Sequence, residues 1–332
     1  MRQSLQRAWL RRGGLALLLW PLSLLFGIAT AVRRRLYRGG VFRSERVPVP
    51  VVVVGNVVAG GAGKTPVVMA IVDHLKRQGM PVGVISRGHG RESRACLEVT
   101  GRSDPRQVGD EALLIARRCQ VPVFVASRRT EAARALLLAH PGVRLLVSDD
   151  GLQHYAMERD VEICVFDDRG VGNGWLLPAG PLREPWPRQA DLVLRTAGAP
   201  GIDGFLVNRK LAGFALRADG ARADLSSMAG QPCDAVAGIA QPQAFFDMLA
   251  RAGLSLRHTT ALPDHDDFED PQSWIRRDAP LLCTEKDATK LWRTQPQAWA
   301  VPLAIDIEPG FWSALEALVR PKLSSPHGPQ TA

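Results

Sequence analysis

The sequence predicts an α/β protein in which a long apolar N-terminal helix precedes a helix-covered parallel sheet and a second, smaller α/β domain. Three observations lead to this fold class. Strand and helix patterns alternate from Val51 onward, a glycine-rich loop follows the first strand at Gly55, and residues Gly13–Val32 carry no charge. Alternation of this kind forms a parallel sheet, whose ligands bind at the carboxyl ends of the strands.

Composition places most of the chain among ordinary globular proteins. Of its 332 residues, 46% are hydrophobic and 23% are charged, which excludes bulk disorder and collagen-like or coiled-coil architectures and allows two domains. The cysteines are widely spaced and include no C-x-x-C pair, so neither a disulfide framework nor a thiolate zinc site is indicated. They are Cys96, Cys119, Cys164, Cys233 and Cys283, and they fit a reducing compartment.

The formal charge of +9 is concentrated at the N-terminus. Residues 1–46 contain ten arginines and one acidic residue, Glu45, whereas the remaining 286 residues are balanced. A basic surface for nucleic acid would therefore have to come from a neutral globular part, so no nucleic-acid partner is expected. Arginines beside an apolar segment indicate an anionic membrane surface instead.

The apolar segment Gly13–Val32 is long enough to cross a hydrocarbon core, since twenty helical residues span about 30 Å. A cleaved signal peptide is an alternative because Ala29–Ala31 has the A-x-A form, but Arg33–Arg35 is a poor start for an exported chain. A buried core helix is a second alternative, which arginine clusters at both ends disfavour. We therefore expect a membrane-associating helix, and whether Pro21 and Gly27 let it span the bilayer stays open.

The elements of the main sheet follow from apolar runs and helical periodicity. Val51–Val54 contains only β-branched residues, which is typical of a strand buried on both faces. The further predicted strands are Val82–Ser86, Val121–Ala126, Val143–Val147 and Val161–Phe166, and the predicted helices are Pro66–Arg77, Asp110–Cys119 and Thr130–His140.

A change of pattern near residue 200 marks the second domain. Gly201–Leu216 contains short alternating runs that predict a β-ribbon linking the core to the second domain. The strands Ala235–Ala240, Pro280–Thr284 and Val301–Ile305 and the helix Pro242–Ala252 follow. The predicted division is residues 1–46 for the N-terminal helix, 47–200 for the core, 201–322 for the second domain and 323–332 for a disordered tail.

The strongest motif is the glycine-rich loop Gly55–Pro66, which predicts a nucleotide-phosphate site. Its glycines let backbone N–H groups surround a phosphate, Lys64 reaches the β- and γ-phosphates, and Thr65 can bind Mg²⁺. Val58 replaces the first glycine of the strict Walker A pattern, and the spacing is that of the deviant G-G-x-G-K-T form. The alternative is an ordinary glycine-rich turn. The expected ATP-binding residues are Gly60, Gly61, Ala62, Gly63, Lys64, Thr65 and Pro66.

A nucleotide site of this kind needs a second carboxylate for the metal ion. Asp149 and Asp150 follow the predicted strand Val143–Val147, so they would lie beside the phosphates with one of them holding Mg²⁺. Paired aspartates that begin an exposed turn are the common alternative. ATP and Mg²⁺ are therefore the expected cofactors.

Several further motifs resemble the tetraacyldisaccharide 4′-kinase family over roughly residues 10 to 310. The most specific is Gly172–Pro185, which contains L-L-P-A-G-P-L-R-E-P. The others are Ser86–Arg91, Gly109–Glu111, Asp149–His154, Pro263–His265 and Thr284–Ala288, in addition to the glycine-rich loop. The resemblance implies a Rossmann-like P-loop core and transfer of the γ-phosphate of ATP to the 4′-hydroxyl of an acylated glucosamine disaccharide phosphate. It also implies that the product is lipid IV-A and that the enzyme acts at the cytoplasmic face of a bacterial inner membrane.

The resemblance also implies roles for particular residues. Asp110 would act as a base, His265 from the second domain would orient it, and the site would lie in a cleft that closes on ATP. On the residues alone, Asp110 could equally cap a helix and His265 could lie in a solvated acidic turn. Glu111 is a further metal candidate. The expected substrate-binding residues are Asn56, Arg87, Arg128, Gln153, His154 and Arg183, of which the arginines suit an anionic sugar phosphate.

Three positions depart from the family pattern: His89 stands where tyrosine is common, Leu152 where phenylalanine is common, and Trp175 where arginine is common. The last change removes a charge that could face phosphate. Two other function classes stay open, namely a P-loop ATPase that switches a membrane partner and a soluble small-molecule kinase. The first gives no reason for the Gly172–Pro185 string, and the second gives none for Gly13–Val32. No protein partner is indicated.

Overall fold

A computed structural model of the chain describes residues 9–269 and 279–324. These residues form two compact units. The first contains residues 9–87, 121–208 and 307–324, and the second contains residues 88–120, 209–269 and 279–306.

Helices and strands alternate along most of the chain. In order they are α1 Gly14–Arg38, β1 Val51–Gly55, α2 Lys64–Arg77, β2 Val82–Ser86, β3 Leu97–Glu98, α3 Pro105–Val108, α4 Asp110–Cys119, β4 Val123–Val125, α5 Arg129–Ala139, β5 Leu145–Asp149, β6 Val161–Phe166, β7 Leu192–Arg195, β8 Phe205–Leu211, β9 Phe214–Leu216, β10 Arg222–Asp224, a 3₁₀ helix Leu225–Met228, β11 Pro232–Ala237, α6 Pro242–Arg251, β12 Ser255–Ala261, β13 Leu281–Thr284, α7 Glu285–Leu291, β14 Trp299–Val301, β15 Leu303–Ile307 and α8 Pro309–Ser324.

The first unit is built on a parallel sheet in the order β8-β7-β6-β1-β5-β2-β4. Strand β1 is buried along its whole length because it lies between β5 and β6. Val54 pairs with Asp149, and Gly55 pairs with Cys164. The register therefore places the carboxyl ends of β1 and β5 side by side, as the predicted α/β fold class requires.

The second unit contains a mixed sheet in the order β10-β9-β14-β13-β11-β12. Strands β12, β11, β13 and β14 are parallel, whereas β9 is antiparallel to β14 and β10. Helix α6 buries Phe245, Phe246 and Leu249 in the core of this unit. The fold is therefore α/β in both units, as predicted.

The observed units differ from the predicted division in three segments. Residues 307–322, predicted for the second domain, belong to the first unit. Residues 88–120 belong to the second unit, because α4 packs against α7. Gly201–Leu216 does not form a ribbon: β8 extends the first sheet beside β7, and β9 joins the second sheet. Helix α8 includes residues 323 and 324, and the remainder of the predicted tail lies outside the described residues.

Helix α1 is long, apolar and largely exposed. It extends the predicted apolar segment to Arg38, and its mean hydropathy reaches 2.2 over 18 residues, of which 11% are buried. Leu18 is 76% exposed and Leu25 is 63% exposed. A core helix would be mostly buried, so this alternative is wrong. Within the described part of the chain, α1 is long and apolar enough to cross a membrane, a test that a signal sequence also passes.

One face of α1 is fixed to residues 172–185, which we call the connector. Ser23 is 4% exposed, and its hydroxyl donates to Leu176 O at 2.8 Å and accepts from Ala179 N at 2.9 Å. Just before α1, the Trp9 indole donates to Pro178 O at 2.9 Å. The two bonds of Ser23 satisfy a hydroxyl that would otherwise be costly to bury in an apolar helix face.

The connector continues to the glycine-rich loop through backbone hydrogen bonds. Ala59 N donates to Pro181 O at 2.7 Å, and Arg183 N donates to Val57 O at 2.7 Å. The connector is therefore hydrogen-bonded both to the apolar helix and to the loop after β1, and all three lie within one unit.

Candidate active site

The glycine-rich loop connects buried strand β1 to helix α2. Gly60 and Gly63 have φ values of +93° and +70°, a backbone region that L side chains rarely adopt. Helix α2 begins at Lys64, two residues before the predicted start, and Pro66 lies in its first turn, where a missing N–H costs no hydrogen bond. The loop thus exposes glycine backbone at the positive end of a helix, which favours phosphate.

Lys64 points back across this loop. Its Nζ donates to Asn56 Oδ1 at 3.3 Å and lies 3.5 Å from Asp150 Oδ1. Asn56 is fully buried, and its backbone carbonyl accepts a hydrogen bond from Gln153 Nε2 at 3.1 Å. The structure therefore places the predicted substrate-binding residues Asn56 and Gln153 in the lysine's surroundings.

The two aspartates at the end of β5 have different environments. Asp149 is buried, and Asp150 has a left-handed φ of +49°. Burial alone would raise the pKa of Asp150, but the charges of Lys64, Arg183 and Arg129 outweigh burial and hold it below its usual value. Asp150 is therefore ionised and already paired with cations at neutral pH.

The donors near the loop fit a magnesium ion. Thr65 is buried at the start of α2, and Asp149 ends the strand beside β1. A hydroxyl and a carboxylate are the hard oxygen donors that Mg²⁺ takes alongside nucleotide phosphates. Among the described residues, no three His, Cys, Asp or Glu side chains group closely enough to hold a metal by themselves. These donors therefore suit an ion that shares its coordination with phosphate.

Arg169 is a loop-binding residue that the sequence analysis missed. Its guanidinium donates to Ala59 O at 3.2 Å and Gly61 O at 3.0 Å, and its Nε donates to Asp167 at 3.0 Å. A Cβ added at Gly60 would lie 3.1 Å from Arg169 Nη1. In the sequence, Arg169 belongs to an Asp-Asp-Arg-Gly run directly after β6, and such a run cannot be told from an ordinary polar turn.

The predicted substrate-binding arginines of the first unit differ in their distance from the aspartates and in their exposure. Arg183 lies 3.4 Å from Asp150, and Arg87 is exposed at the end of β2. Arg128 is also exposed, whereas its neighbour Arg129 is buried and donates to Asp150 O at 2.9 Å. The residue type cannot distinguish Arg128 from Arg129. The structure shows that Arg129, the first residue of α5, is the one that faces the aspartates.

His154 is held as a neutral imidazole. Its Nε2 lies 3.4 Å from the backbone N–H of Arg129. Burial, together with neighbouring arginine charges led by Arg129, lowers the pKa of His154 to about 4. It is therefore an uncharged hydrogen-bonding group beside the aspartates at neutral pH.

Asp110 and His265 form a close pair within the second unit. His265 Nδ1 lies 3.0 Å from Asp110 Oδ2 and 3.2 Å from Oδ1. Asp110 is the first residue of α4 and is only 3% exposed. Gly109 occupies the N-cap position of α4, so Asp110 lies inside the first turn of the helix rather than at the capping position that the sequence suggested.

The charges around this pair stabilise the ionised carboxylate. Burial would raise the pKa of Asp110, but the hydrogen bond to His265 and nearby positive charges lower it to about 2. The same hydrogen bond raises the pKa of His265. An ionised carboxylate can accept a hydrogen bond from an alcohol, and the neighbouring imidazole is a stronger base to which a proton could then pass.

Two lysines of α7, which the sequence analysis did not assign, complete this cluster. Lys286 Nζ lies 3.8 Å from Asp110 Oδ2 and 3.5 Å from His265 Nε2, and Lys290 Nζ lies 3.7 Å from Asp110 Oδ2. Lys286 also lies 3.6 Å from Glu111 Oε1, so the predicted metal candidate Glu111 pairs with a lysine. Lys286 belongs to the T-E-K-D-A motif at Thr284–Ala288, but nothing in that motif indicates its partners Asp110 and His265.

The backbone at His265 is held in an unusual conformation. His265 has a φ of +68°, its N–H donates to Gly238 O at 3.1 Å, and its carbonyl accepts from Lys290 Nζ at 3.0 Å. The ring of His89 lies 5.2 Å from the His265 ring in an edge-on contact. His89, where the resembled family commonly has tyrosine, is thus a direct neighbour of the pair.

The loop, the lysine and threonine at the head of α2, and the aspartates beside β1 define a P-loop phosphotransferase. Comparison with known proteins specifies which one. The family model described as tetraacyldisaccharide-1-P 4′-kinase matches residues 15–320, and the chain belongs to this family of kinases.

Individual relatives agree with the family match. The chain is 55% identical to a tetraacyldisaccharide 4′-kinase of Acidovorax sp. (strain JS42), with 98% of this chain and 97% of the relative covered. It is 53% identical to one of Polaromonas naphthalenivorans (strain CJ2), with both chains fully covered. The crystal structure of LpxK from Aquifex aeolicus in complex with ATP superposes with a TM-score of 0.81 at 28% identity, covering 93% of this chain and 99% of the other.

Proposed function

We propose that the chain transfers the γ-phosphoryl group of ATP to the 4′-hydroxyl of a tetraacyldisaccharide 1-phosphate and so forms lipid IV-A. Family membership supports the reaction, and the ATP complex of the similar structure supports the nucleotide. The observation that carries the chemical mechanism is the 3.0 Å contact between His265 and the buried carboxylate of Asp110.

Residues of the first unit would bind the nucleotide. The loop N–H groups and Lys64 would hold the β- and γ-phosphates, and Arg169 would fix the loop through Ala59 O and Gly61 O. Thr65 and Asp149 would hold Mg²⁺, which supplies charge neutralisation on the transferring phosphate when it is bound. Lys64 would exchange part of its contact with Asp150 for phosphate oxygens.

Asp110 and His265 would act on the sugar hydroxyl as a unit. A hydroxyl is a poor nucleophile at neutral pH, and a positioned acceptor assists even a loose phosphoryl-transfer transition state. Asp110 would accept the hydrogen bond of the 4′-hydroxyl. Because the pKa of Asp110 is about 2, the carboxylate would pass the departing proton on to the imidazole of His265, which is the stronger base and must enter this step neutral.

The membrane surface would be the place of the reaction. Helix α1 exposes an apolar face, and the arginines that follow Val32 would lie at the level of anionic headgroups. We infer association with the cytoplasmic face of the bacterial inner membrane, where ATP is available and an acylated substrate resides.

The mechanism is tested with Asp110→Asn, assayed by resolving the bis-phosphorylated product of ATP and the disaccharide monophosphate. The amide keeps the shape of the side chain but accepts protons poorly, so we expect kcat to fall by roughly 10²–10⁴ with KM for ATP and the unfolding temperature nearly unchanged. His265→Ala should also lower kcat. The double variant should be much less than multiplicatively slower, because the two residues act together.

Two outcomes would contradict this mechanism. A wild-type rate for Asp110→Asn would remove the carboxylate from the chemistry. Fully multiplicative losses in the double variant would show that Asp110 and His265 act independently. ATP consumption by the wild-type protein without a bis-phosphorylated product would contradict the proposed reaction itself.

A further inference from the structure

A polar cavity of about 370 Å³ lies at the C-terminal end of α1. Its walls include Arg34 and Arg38 from the helix, Tyr155 from the loop after β5, and Arg188 from the chain that follows the connector. The volume is at the lower end of the range of ligand pockets, about 300–1,000 Å³. Neither Lys64 nor Asp150 lines this cavity, so it is not part of the nucleotide site described above.

Arg34 and Arg38 are available to a ligand. They lie four residues apart, so their side chains project from the same face of α1. Within residues 9–269 and 279–324, neither guanidinium has a hydrogen-bond or ion-pair partner. Arg34 is half-buried and Arg38 is exposed, so two unpaired positive charges face one cavity.

Two other lining residues, Tyr155 and Arg188, belong to a network of hydrogen bonds and ion pairs. Arg188 donates to Glu184 Oε2 at 3.1 Å and forms a second ion pair with Glu162. The Tyr155 hydroxyl donates to the other oxygen of Glu184 at 2.6 Å. Burial and this hydrogen bond raise the pKa of Tyr155, so the phenol is neutral. The two carboxylates are already bound by donors and therefore oppose an incoming anion only weakly.

Aromatic contacts hold the helix end in place beside this network. The rings of Tyr37 and Tyr155 are 5.8 Å apart, and the Arg33 guanidinium lies 5.9 Å from the Tyr155 ring. After the helix, the Ser44 hydroxyl donates to Tyr155 O at 2.7 Å. The end of α1 that carries Arg34 and Arg38 is therefore packed against Tyr155 before any ligand binds.

We propose that this cavity binds the phosphodiester headgroup of one anionic membrane phospholipid. Guanidinium groups recognise phosphate oxygens in a bidentate manner, and Arg34 follows the apolar segment by only two residues. In the proposed membrane arrangement this is the depth at which headgroups lie, so the inference rests on membrane association through α1. Binding at this site differs from diffuse attraction to the whole basic cluster, because Arg34 and Arg38 would contact the headgroup and the other arginines near the apolar segment would not.

The test is binding of short-chain phosphatidylglycerol to the full-length protein in nonionic detergent micelles, measured by isothermal titration. Short-chain phosphatidylcholine is the lipid control. We expect one phosphatidylglycerol per chain, and at least about tenfold weaker binding in Arg34→Gln/Arg38→Gln. The matched control is Arg35→Gln/Arg43→Gln, which removes the same charge at exposed positions outside the cavity and should bind like the wild type.

Three results would overturn the proposal. Equal losses in both double variants would show a diffuse field, and equal wild-type affinity for the two lipids would show no headgroup recognition. The third arm measures kinase activity in micelles without phosphatidylglycerol. A raised KM for the disaccharide in Arg34→Gln/Arg38→Gln, with unchanged phosphatidylglycerol binding, would assign the cavity to the phosphate of the substrate.

The lipid titration contains neither ATP nor the disaccharide. A failure of the proposed kinase reaction would therefore leave the titration unaffected. Conversely, loss of headgroup binding would leave the phosphorylated product detectable, so the two proposals fail separately.

Discussion

Lys64 has two partners in the structure, Asn56 and Asp150, and it is therefore in place before phosphate arrives. We predict that Lys64→Ala abolishes phosphoryl transfer, because one positive charge on the transferring phosphate is lost. Thr65→Ala should shift the Mg²⁺ dependence to higher concentration. Both are checked by steady-state turnover against Mg²⁺ concentration, with the unfolding temperature as the control for folding. Near-wild-type turnover in Lys64→Ala would contradict the phosphate site.

His154 makes a testable contribution to stability against pH. Its pKa is about 4 in the folded chain and about 6.5 when unfolded, so the unfolded chain binds the proton first as pH falls. Stability should therefore be lost between pH 6.5 and 4, by on the order of 1 kcal/mol after allowance for partial exposure. His154→Gln should flatten this part of the curve in denaturant titrations. The exposed His258→Gln is the matched control, and an unchanged slope in His154→Gln would refute the assignment.

At the residue scale, functional side chains that follow a buried strand could be identified from the sequence. Lys64 and Asp149 follow buried strands, so their neighbourhood is fixed by sheet register. The partners Arg169, Lys286 and Lys290 could not be found, because each contacts its target through tertiary folding. Trp175 packs 6.5 Å from Trp20 and beneath Arg12, so this departure from the family pattern serves the helix contact.

At the element scale, the contact between α1 and the connector can be tested at Ser23. Ser23→Ala leaves Leu176 O and Ala179 N without their partner, which costs about 1–3 kcal/mol and should lower the unfolding temperature by several degrees. The control is Leu18→Ala on the exposed face of α1. It should have the same unfolding temperature as the wild type when all three proteins are measured in one detergent. Equal unfolding temperatures for Ser23→Ala and wild type would show that the helix is not held through this serine.

The strands that the sequence predicts correctly are those with strong apolar runs. Strands β1, β2 and β6 agree with their predicted positions within a residue. Strand β12 has no such run, because it lies at the edge of its sheet and most of its side chains are exposed. Strand β7 has only four residues, too few for a clear period. Elements held by neighbours rather than by their own pattern were therefore missed.

At the scale of the whole molecule, the proposed membrane association predicts how the protein fractionates. Deleting residues 1–35 should release much of the protein from membranes and lower turnover on bilayer substrate more than it changes ATP affinity. High salt should not extract the intact protein, because apolar burial is insensitive to salt whereas arginine–phosphate attraction is screened. Sedimentation of membranes before and after a salt wash measures both. A mature N-terminus at Val32 would instead establish a cleaved signal peptide.

The hydrogen bonds from Ser23 through the connector to Ala59 also have a mechanical consequence. Through the connector, a movement of α1 at Ser23 would act on the loop backbone at Val57 and Ala59. Helices tilt to match the thickness of the bilayer around them. In the proposed membrane arrangement, a change in the tilt of α1 would therefore reach the loop that binds phosphate, and the thickness of the bilayer would affect the geometry of phosphoryl transfer.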